Sequence, residues 1–220
     1  PFFLGSRSDR KFGEGSNNYL KDVICPIINS LNLSKVTVLD PHSDVLEACL
    51  NNFEKKDNLD LVSHVIFNEL CPGPGFVDSN LLEKIVLISP DAGANKKMFK
   101  LAEQLNFEGE IITCDKSRNV EGQISKVYVP LNKLLGHETL VIIDDICDGG
   151  RTFINIVNEI KKLEEHTGKV FEKHLIVTHG IFSAGFFELS DAFNSIFCTN
   201  SYFDIDDSII PEGFIIQTNV

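Results

Sequence analysis

A short segment rich in aspartate and glycine, 144–152, contains the residue types that point most directly to chemistry. Its residues of interest are Asp144, Asp145, Asp148, Gly149, Gly150 and Thr152. Adjacent glycines before a helix leave backbone N–H groups uncovered for a phosphate, and the threonine adds a hydroxyl donor. The aspartates suit sugar hydroxyls or a metal ion instead, because they repel a phosphate. The segment therefore predicts a site for a phosphorylated sugar. The alternative is a helix cap surrounded by solvated acids.

Two cations form a second candidate group. Lys116 and Arg118 lie two residues apart in a polar stretch. On an extended segment, side chains at this spacing point to the same side. There they would stabilise negative charge that develops during a reaction. Taken alone, such a pair is more typical of solvated surface cations.

A parallel sheet is the element expected to bring these groups together. Apolar, β-branched runs predict strands at VTVLD (36–40), KIVLIS (84–89), EIITC (110–114), TLVIIDD (139–145), KHLIVTHG (173–180) and SIFCT (195–199). Helical spacing of apolar residues occurs between several of them, for example from Phe153 to Leu163. The same spacing precedes the first strand over 17–31, where Pro26 argues against an unbroken helix. The alternation predicts an α/β fold with mainly parallel sheets. Ligands of such sheets bind at the carboxyl ends of the strands.

Breaker residues and charge suggest how the chain is divided. The cluster CPGPG (71–75) predicts a boundary between a first domain, 1–70, and a second domain, 71–220. The charged run EKKDNLD (54–60) is predicted to be a linker within the first domain.

Composition excludes several classes of function. The 220 residues include 20 Lys and Arg against 32 Asp and Glu, which gives a net charge of −12. This balance argues against nucleic acid or a membrane surface as a partner. Apolar runs shorter than the ~20 residues that span a bilayer argue against a transmembrane role. The six cysteines are scattered through apolar runs. They indicate reduced core residues of a cytoplasmic protein, and the N-terminus has no signal-peptide pattern.

Several motifs resemble those of one family and occur in that family's order. VIIDDICDGGRTF (141–153) resembles the ribose-5-phosphate loop shared by type I phosphoribosyltransferases and ribose-phosphate pyrophosphokinases. The further matches to the pyrophosphokinases are SRSDRKF (6–12), VLDPHS (38–43), SPDAGANKK (89–97), DKSR (115–118), VTHGIFS (177–183) and CTN (198–200). The resemblance therefore extends over nearly the whole chain.

This resemblance implies a fold and an activity. The fold would be two tandem phosphoribosyltransferase-like domains, the first one incomplete, because the first third of the family's chain is missing before SRSDRK. We therefore expect either a fragment or a longer native protein upstream of Pro1. The activity would be transfer of pyrophosphate from ATP to the anomeric hydroxyl of ribose 5-phosphate. The protein would act as a homo-oligomer whose ATP site is shared across subunits.

The resemblance also implies roles for individual residues. Arg7 and Ser8 would contact the nucleotide, and His42 and Asp91 would hold Mg²⁺. Lys116 and Arg118 would be the catalytic cations of a mobile loop. The ribose-5-phosphate site would comprise Asp144, Asp145, Asp148, Gly149, Gly150 and Thr152. On ligand type alone His42 is unusual for Mg²⁺, so a histidine hydrogen-bonded at a strand end is the alternative.

Three positions depart from the family pattern, and two other functions stay open. Ser8 replaces the usual Gln, Gly149 a common Thr, and Arg151 a common Gly. One alternative function is a phosphoribosyltransferase that consumes phosphoribosyl pyrophosphate, although such an enzyme needs none of SRSDRK, DPH and DKSR. The other is a non-catalytic regulatory subunit of the synthetase. The presence of Lys116 and Arg118 argues against that subunit, while Ser8 and Gly149 favour it slightly.

Overall fold

The chain divides into two compact units, one ending at Asn58 and the other spanning Leu59–Val220. The computed structural model describes residues 18–42, 44–72, 82–118, 124–206, 208, 210 and 213–220. Among these residues, no helix is both long enough and apolar enough to cross a membrane. All six cysteines are free thiols, and five of them are buried.

The first unit is built around two short parallel strands. Its elements are a π-helical turn Leu20–Ile24, helix α1 Cys25–Ser30, strand β1 Val36–Leu39, helix α2 Val45–Cys49 and strand β2 Phe53–Lys56. Strands β1 and β2 pair in parallel, with Val36 opposite Phe53. Leu20, Cys25, Leu46 and Leu50 form the small buried core.

Pro26 does not end the helical segment that the sequence pattern predicts. It lies in the first turn of α1, directly after the π-helical turn. A proline lacks the N–H of a helical hydrogen bond, and its ring clashes with the carbonyl four residues earlier. The wider π-helical turn lies where that clash would occur, which explains how the helix continues.

The second unit contains a six-stranded parallel sheet with the strand order β10-β9-β8-β7-β3-β4. The strands are β3 Ile85–Ser89, β4 Glu110–Thr113, β7 Thr139–Cys147, β8 Glu172–Gly180, β9 Ser195–Thr199 and β10 Ile215–Thr218. A separate antiparallel hairpin is formed by β5 Asp115–Arg118 and β6 Ile124–Tyr128. The predicted α/β architecture with mainly parallel sheets is therefore confirmed.

Helices cover both faces of this sheet. They are α3 Leu59–His64 with a π-helical continuation Val65–Leu70, α4 Asn95–Gln104, a 3₁₀ turn Leu131–Leu134, α5 Arg151–Thr167 and α6 Phe187–Ala192. One core joins α5, through Phe153, Ile156 and Ile160, to strand residues such as Leu140. A second core joins α3 and α4 to the opposite face of the sheet, which includes Val141. Side chains alternate along β7, so each face of this strand contributes to one core.

Some details differ from the sequence-based prediction. The run 54–60, predicted to be a linker, begins with strand β2 and ends inside α3, because Phe53 and its neighbours pair with β1. The hairpin β5–β6 and strand β10 were not predicted. The two compact units divide before α3, whereas the predicted domain boundary follows Leu70. The segment from Leu59 belongs with the second unit because Val62 and Ile66 are fully buried in the core beneath its sheet.

Candidate functional site

The candidate site lies where two neighbouring strands of the large sheet end. Strands β3 and β7 pair in parallel, with Ile88 beside Ile142. The turn after β3, which contains Asp91, therefore lies close to Asp144 on β7. The charge of Asp91 acts on the carboxyl of Asp144, in agreement with this proximity. The topology thus brings together two of the acidic groups that the sequence placed far apart.

Asp91 is held rigidly in the turn after β3. Its Oδ1 accepts the backbone N–H of Ala94 at 3.1 Å, and the buried Ser89 hydroxyl donates to its carbonyl oxygen at 2.9 Å. Its Oδ2 forms an ion pair with the ammonium of Lys116. Burial alone would raise the pKa of Asp91, but the hydrogen bond and charge of Lys116, together with backbone N–H groups, lower it below its ordinary value. The carboxylate is therefore ionised and oriented.

Lys116 extends from the hairpin rather than from the large sheet. It lies on β5 opposite Val127 of β6. The chain is anchored just before it, because the N–H of Cys114 donates to the carbonyl of Ser89 at 2.9 Å. The backbone is extended here, with an irregular register between Ser117 and Arg118. The hairpin therefore positions Lys116 beside Asp91, and a common direction for Lys116 and Arg118 stays a prediction.

Asp144 and Asp145 form a close pair of acids. Asp144 Oδ1 accepts the backbone N–H of Asp145 at 2.9 Å. Burial, and then the negative charges of Asp145 and Asp91, raise the pKa of Asp144 well above its ordinary value. Asp145 is buried, and its Oδ2 lies 3.6 Å from Nζ of Lys97 on α4. The pair thus presents one carboxyl that retains its proton to unusually high pH and one that faces an ammonium.

The glycine segment forms the start of α5. Gly150 has φ +74°, and a Cβ at this position would lie 3.1 Å from Cδ2 of Leu189, so both the backbone angle and the space favour glycine. Its carbonyl accepts the N–H groups of Phe153 and Ile154. The first N–H groups of any helix have no partner within the helix. The long helix α5 therefore presents donors beside Gly149 and Thr152, in the arrangement that binds phosphate in other proteins.

A second loop supports the glycine segment from the side. The N–H groups of Ile181 and Phe182 donate to the carbonyl of Cys147 at 2.8 and 3.1 Å, and that of Ser183 donates to the carbonyl of Asp148 at 3.2 Å. Ser183 Oγ lies 3.9 Å from the position that a Cβ of Gly149 would take. The loop after β8 therefore fixes the backbone of the candidate phosphate site.

The predicted site residues do not all fall in this region. Asp91, Lys116, Asp144, Asp145, Asp148, Gly149, Gly150 and Thr152 lie at this edge of the sheet or on its hairpin. His42 belongs to the first unit, where it is half-buried after β1, and its role as a metal ligand stays a prediction. Arg7 and Ser8 lie outside the described residues. Within the described part of the chain, no group of three or more His, Cys, Asp and Glu side chains surrounds a metal position.

Lys97 is the site residue that sequence reasoning missed. It lies in the run SPDAGANKK, where it is one of two adjacent lysines. Only the packing of α4 against β7 places it beside Asp145, and that packing has no local signal in the sequence.

Comparison with known proteins shows what this chain is similar to in sequence and in fold. No protein-family model matches the chain. The ribose-phosphate pyrophosphokinase of Mycoplasmopsis pulmonis is 27% identical over 198 residues, which are 89% of this chain and 56% of that protein. That of Sulfurisphaera tokodaii is 28% identical over 219 residues, 100% of this chain and 63% of that protein. Ribose-phosphate pyrophosphokinase 2 of Saccharomyces cerevisiae is 32% identical over 136 residues, 60% of this chain and 40% of that protein.

A solved structure shares the fold. Phosphoribosylpyrophosphate synthetase from Mycobacterium smegmatis matches with a TM-score of 0.74 and 18% identity, covering 100% of this chain and 65% of that one. The protein therefore has the α/β fold of that synthetase. By sequence it is similar to the ribose-phosphate pyrophosphokinases, as the order of its motifs indicated. The chain spans 56% and 63% of the first two of these relatives.

Proposed function

We propose that this chain forms the ribose-5-phosphate side of a ribose-phosphate diphosphokinase site. The reaction transfers pyrophosphate from ATP to the anomeric hydroxyl of ribose 5-phosphate and yields phosphoribosyl pyrophosphate and AMP. The supporting observation is that one sheet edge brings a helix-start glycine loop, a pair of acids and a lysine–aspartate ion pair together.

Each group has a place in this reaction. The sugar phosphate would bind the N–H groups at the start of α5 and the hydroxyl of Thr152. The ribose hydroxyls would bind Asp144 and Asp145, because carboxyl oxygens accept hydrogen bonds from hydroxyl groups. Lys116 would stabilise charge on the transferred phosphates. Such reactions depend mainly on positioning and charge neutralisation, which these residues supply.

The residues also fit a magnesium ion. The ion pair between Lys116 and Asp91 supports a preference for a cation at this carboxylate. Mg²⁺ is typically bound by one or two carboxylates together with substrate phosphates, so Asp91 is a sufficient protein anchor. When bound, Mg²⁺ supplies neutralisation of phosphate charge. Four further roles belong to the same proposal and rest on the resemblance: the nucleotide contacts of Arg7 and Ser8, the metal role of His42, the catalytic role of Arg118 and an ATP site shared within a homo-oligomer. We also propose a cytoplasmic location, which rests on the scattered, reduced cysteines.

The nature of the products tests the reaction. Incubation of the protein with ATP, Mg²⁺ and ribose 5-phosphate is expected to yield one AMP for each sugar consumed, as measured by ion-exchange chromatography. Formation of ADP, or no nucleotide product that depends on the sugar, would contradict the proposal.

Gly149→Thr is expected to strengthen sugar-phosphate binding. The new Cβ would meet only Ser183 Oγ at 3.9 Å, an ordinary contact, so the loop can accept it. One added hydroxyl donor to a phosphate corresponds to about a tenfold lower KM for ribose 5-phosphate. Gly149→Val, which has the same shape without the hydroxyl, is the control. An equal fall in KM for both variants, or no fall for Gly149→Thr, would contradict the placement of the phosphate at this loop.

A further inference from the structure

We propose that Lys116 and the divalent cation exchange at Asp91, so that the ammonium holds this carboxylate until the metal ion replaces it. The inference rests on the proposed function for the presence of the metal ion. It goes beyond that function because it makes Lys116 a competitor of the ion as well as a partner of the phosphates.

The geometry of Asp91 leaves one oxygen for a cation. Its Oδ1 accepts the N–H of Ala94 at 3.1 Å, which fixes the carboxylate plane. Its Oδ2 contacts Nζ of Lys116. The side chain of Asp91 is 29% exposed and that of Lys116 is 16% exposed. A metal ion bound to this oxygen would lie about 2.0–2.1 Å from it. The ammonium already contacts that same oxygen, and two cations packed on one oxygen repel each other, so metal binding requires the ammonium to leave.

The surrounding charges favour the ion of higher charge. The buried Asp145 lies on β7, the strand paired with β3, and its negative charge adds to that of Asp91. Lys97 already lies 3.6 Å from Asp145 and compensates part of that charge. A divalent ion carries twice the charge of an ammonium and therefore gains more from this site, with water completing its ligands.

The hairpin allows the lysine to leave without disturbing the sheet. Lys116 is attached to the two-stranded β5–β6 hairpin, and its flexible four-carbon stem lets the ammonium move while the backbone stays in place. The released ammonium is then available to the phosphates at the same sheet edge. Metal binding would thereby deliver the catalytic cation.

Binding of Mn²⁺ alone tests the exchange without any turnover. Mn²⁺ takes the same oxygen ligands as Mg²⁺, and free Mn²⁺ is counted directly by electron paramagnetic resonance. In the whole chain without substrates, Lys116→Met is expected to bind Mn²⁺ about tenfold more tightly than wild type does, because its competitor is gone. Lys126→Met removes an exposed lysine of the same hairpin, and we expect unchanged affinity for it. Adding Asp91→Asn to Lys116→Met is expected to abolish the gain.

Several results would overturn the exchange. One such result is Mn²⁺ binding by folded Lys116→Met that is equal to or weaker than binding by wild type. Another is a similar gain in Mn²⁺ affinity in Lys126→Met, and a third is a gain in Lys116→Met that remains after Asp91→Asn is added. Absence of Mn²⁺ binding in both wild type and Lys116→Met would also overturn it. Because AMP formation plays no part in the measurement, a failure of the proposed reaction remains distinguishable from a failure of this exchange.

Discussion

Replacement of Lys116 by methionine is expected to lower turnover about 100-fold, the effect of removing one well-placed group that stabilises transition-state charge. Methionine preserves most of the stem and removes the charge. Binding of ribose 5-phosphate is expected to change little, because the glycine loop at the start of α5 is untouched. Initial rates of AMP formation and a separate measurement of sugar-phosphate affinity check the two parts.

The control for this variant lies on the same hairpin. Lys126→Met loses the same charge at an exposed position of β6 opposite Ser117, and we expect turnover near that of wild type. Unchanged turnover in Lys116→Met would contradict a catalytic role for this lysine. It would instead favour the regulatory subunit that the sequence left open.

His174 is expected to make the protein strongly sensitive to acid. It lies on β8, it is buried, and neither ring nitrogen has a hydrogen-bond partner among the described residues. Burial lowers the pKa of His174 from 6.5 to about 4. The unfolded chain therefore binds more protons than the folded chain between these two values. Above pH 6.5 this residue does not reduce the free energy of unfolding. As the pH decreases from 6.5 to 4, the free energy of unfolding falls by about 3 kcal/mol.

Denaturant unfolding at several pH values checks this expectation. His174→Leu is expected to remove this part of the pH dependence and to increase stability at neutral pH, because two buried polar atoms without partners disappear. His166→Gln, at an exposed position near the end of α5, is the control. Its free energy of unfolding is expected to depend on pH as that of wild type does. If the free energy of unfolding of His174→Leu changed with pH between 6.5 and 4 as steeply as that of wild type, the role assigned to His174 would be contradicted.

The buried strands were predictable because burial on both faces gives continuous apolar runs. Five of the six strands of the large sheet follow such runs, and so does β1. Strand β2 was missed because three of the four residues of FEKK are charged, and its pairing with β1 is a tertiary contact. The hairpin was missed for a similar reason, since DKSR contains no apolar residue that would reveal strand periodicity.

The candidate site was predictable in its parts but not in its contacts. Sequence reasoning found the glycine loop from its composition and found Asp91 and Lys116 from the resemblance. It did not find that Lys116 contacts Asp91 or that Lys97 faces Asp145, because each contact joins different elements of the fold. Such pairs depend on how the hairpin and α4 meet the sheet, and a local pattern does not contain that information.

The fate of the β-phosphate of ATP tests the central proposal most directly. With ATP labelled at the β-phosphorus, Mg²⁺ and ribose 5-phosphate, we predict that the label leaves the nucleotide and is recovered on the sugar, with unlabelled AMP as the other product. Phosphorus NMR would place it in a diphosphate attached to the anomeric carbon. Label that stays in ADP, or sugar that remains unlabelled while ATP is consumed, would contradict pyrophosphate transfer by this protein.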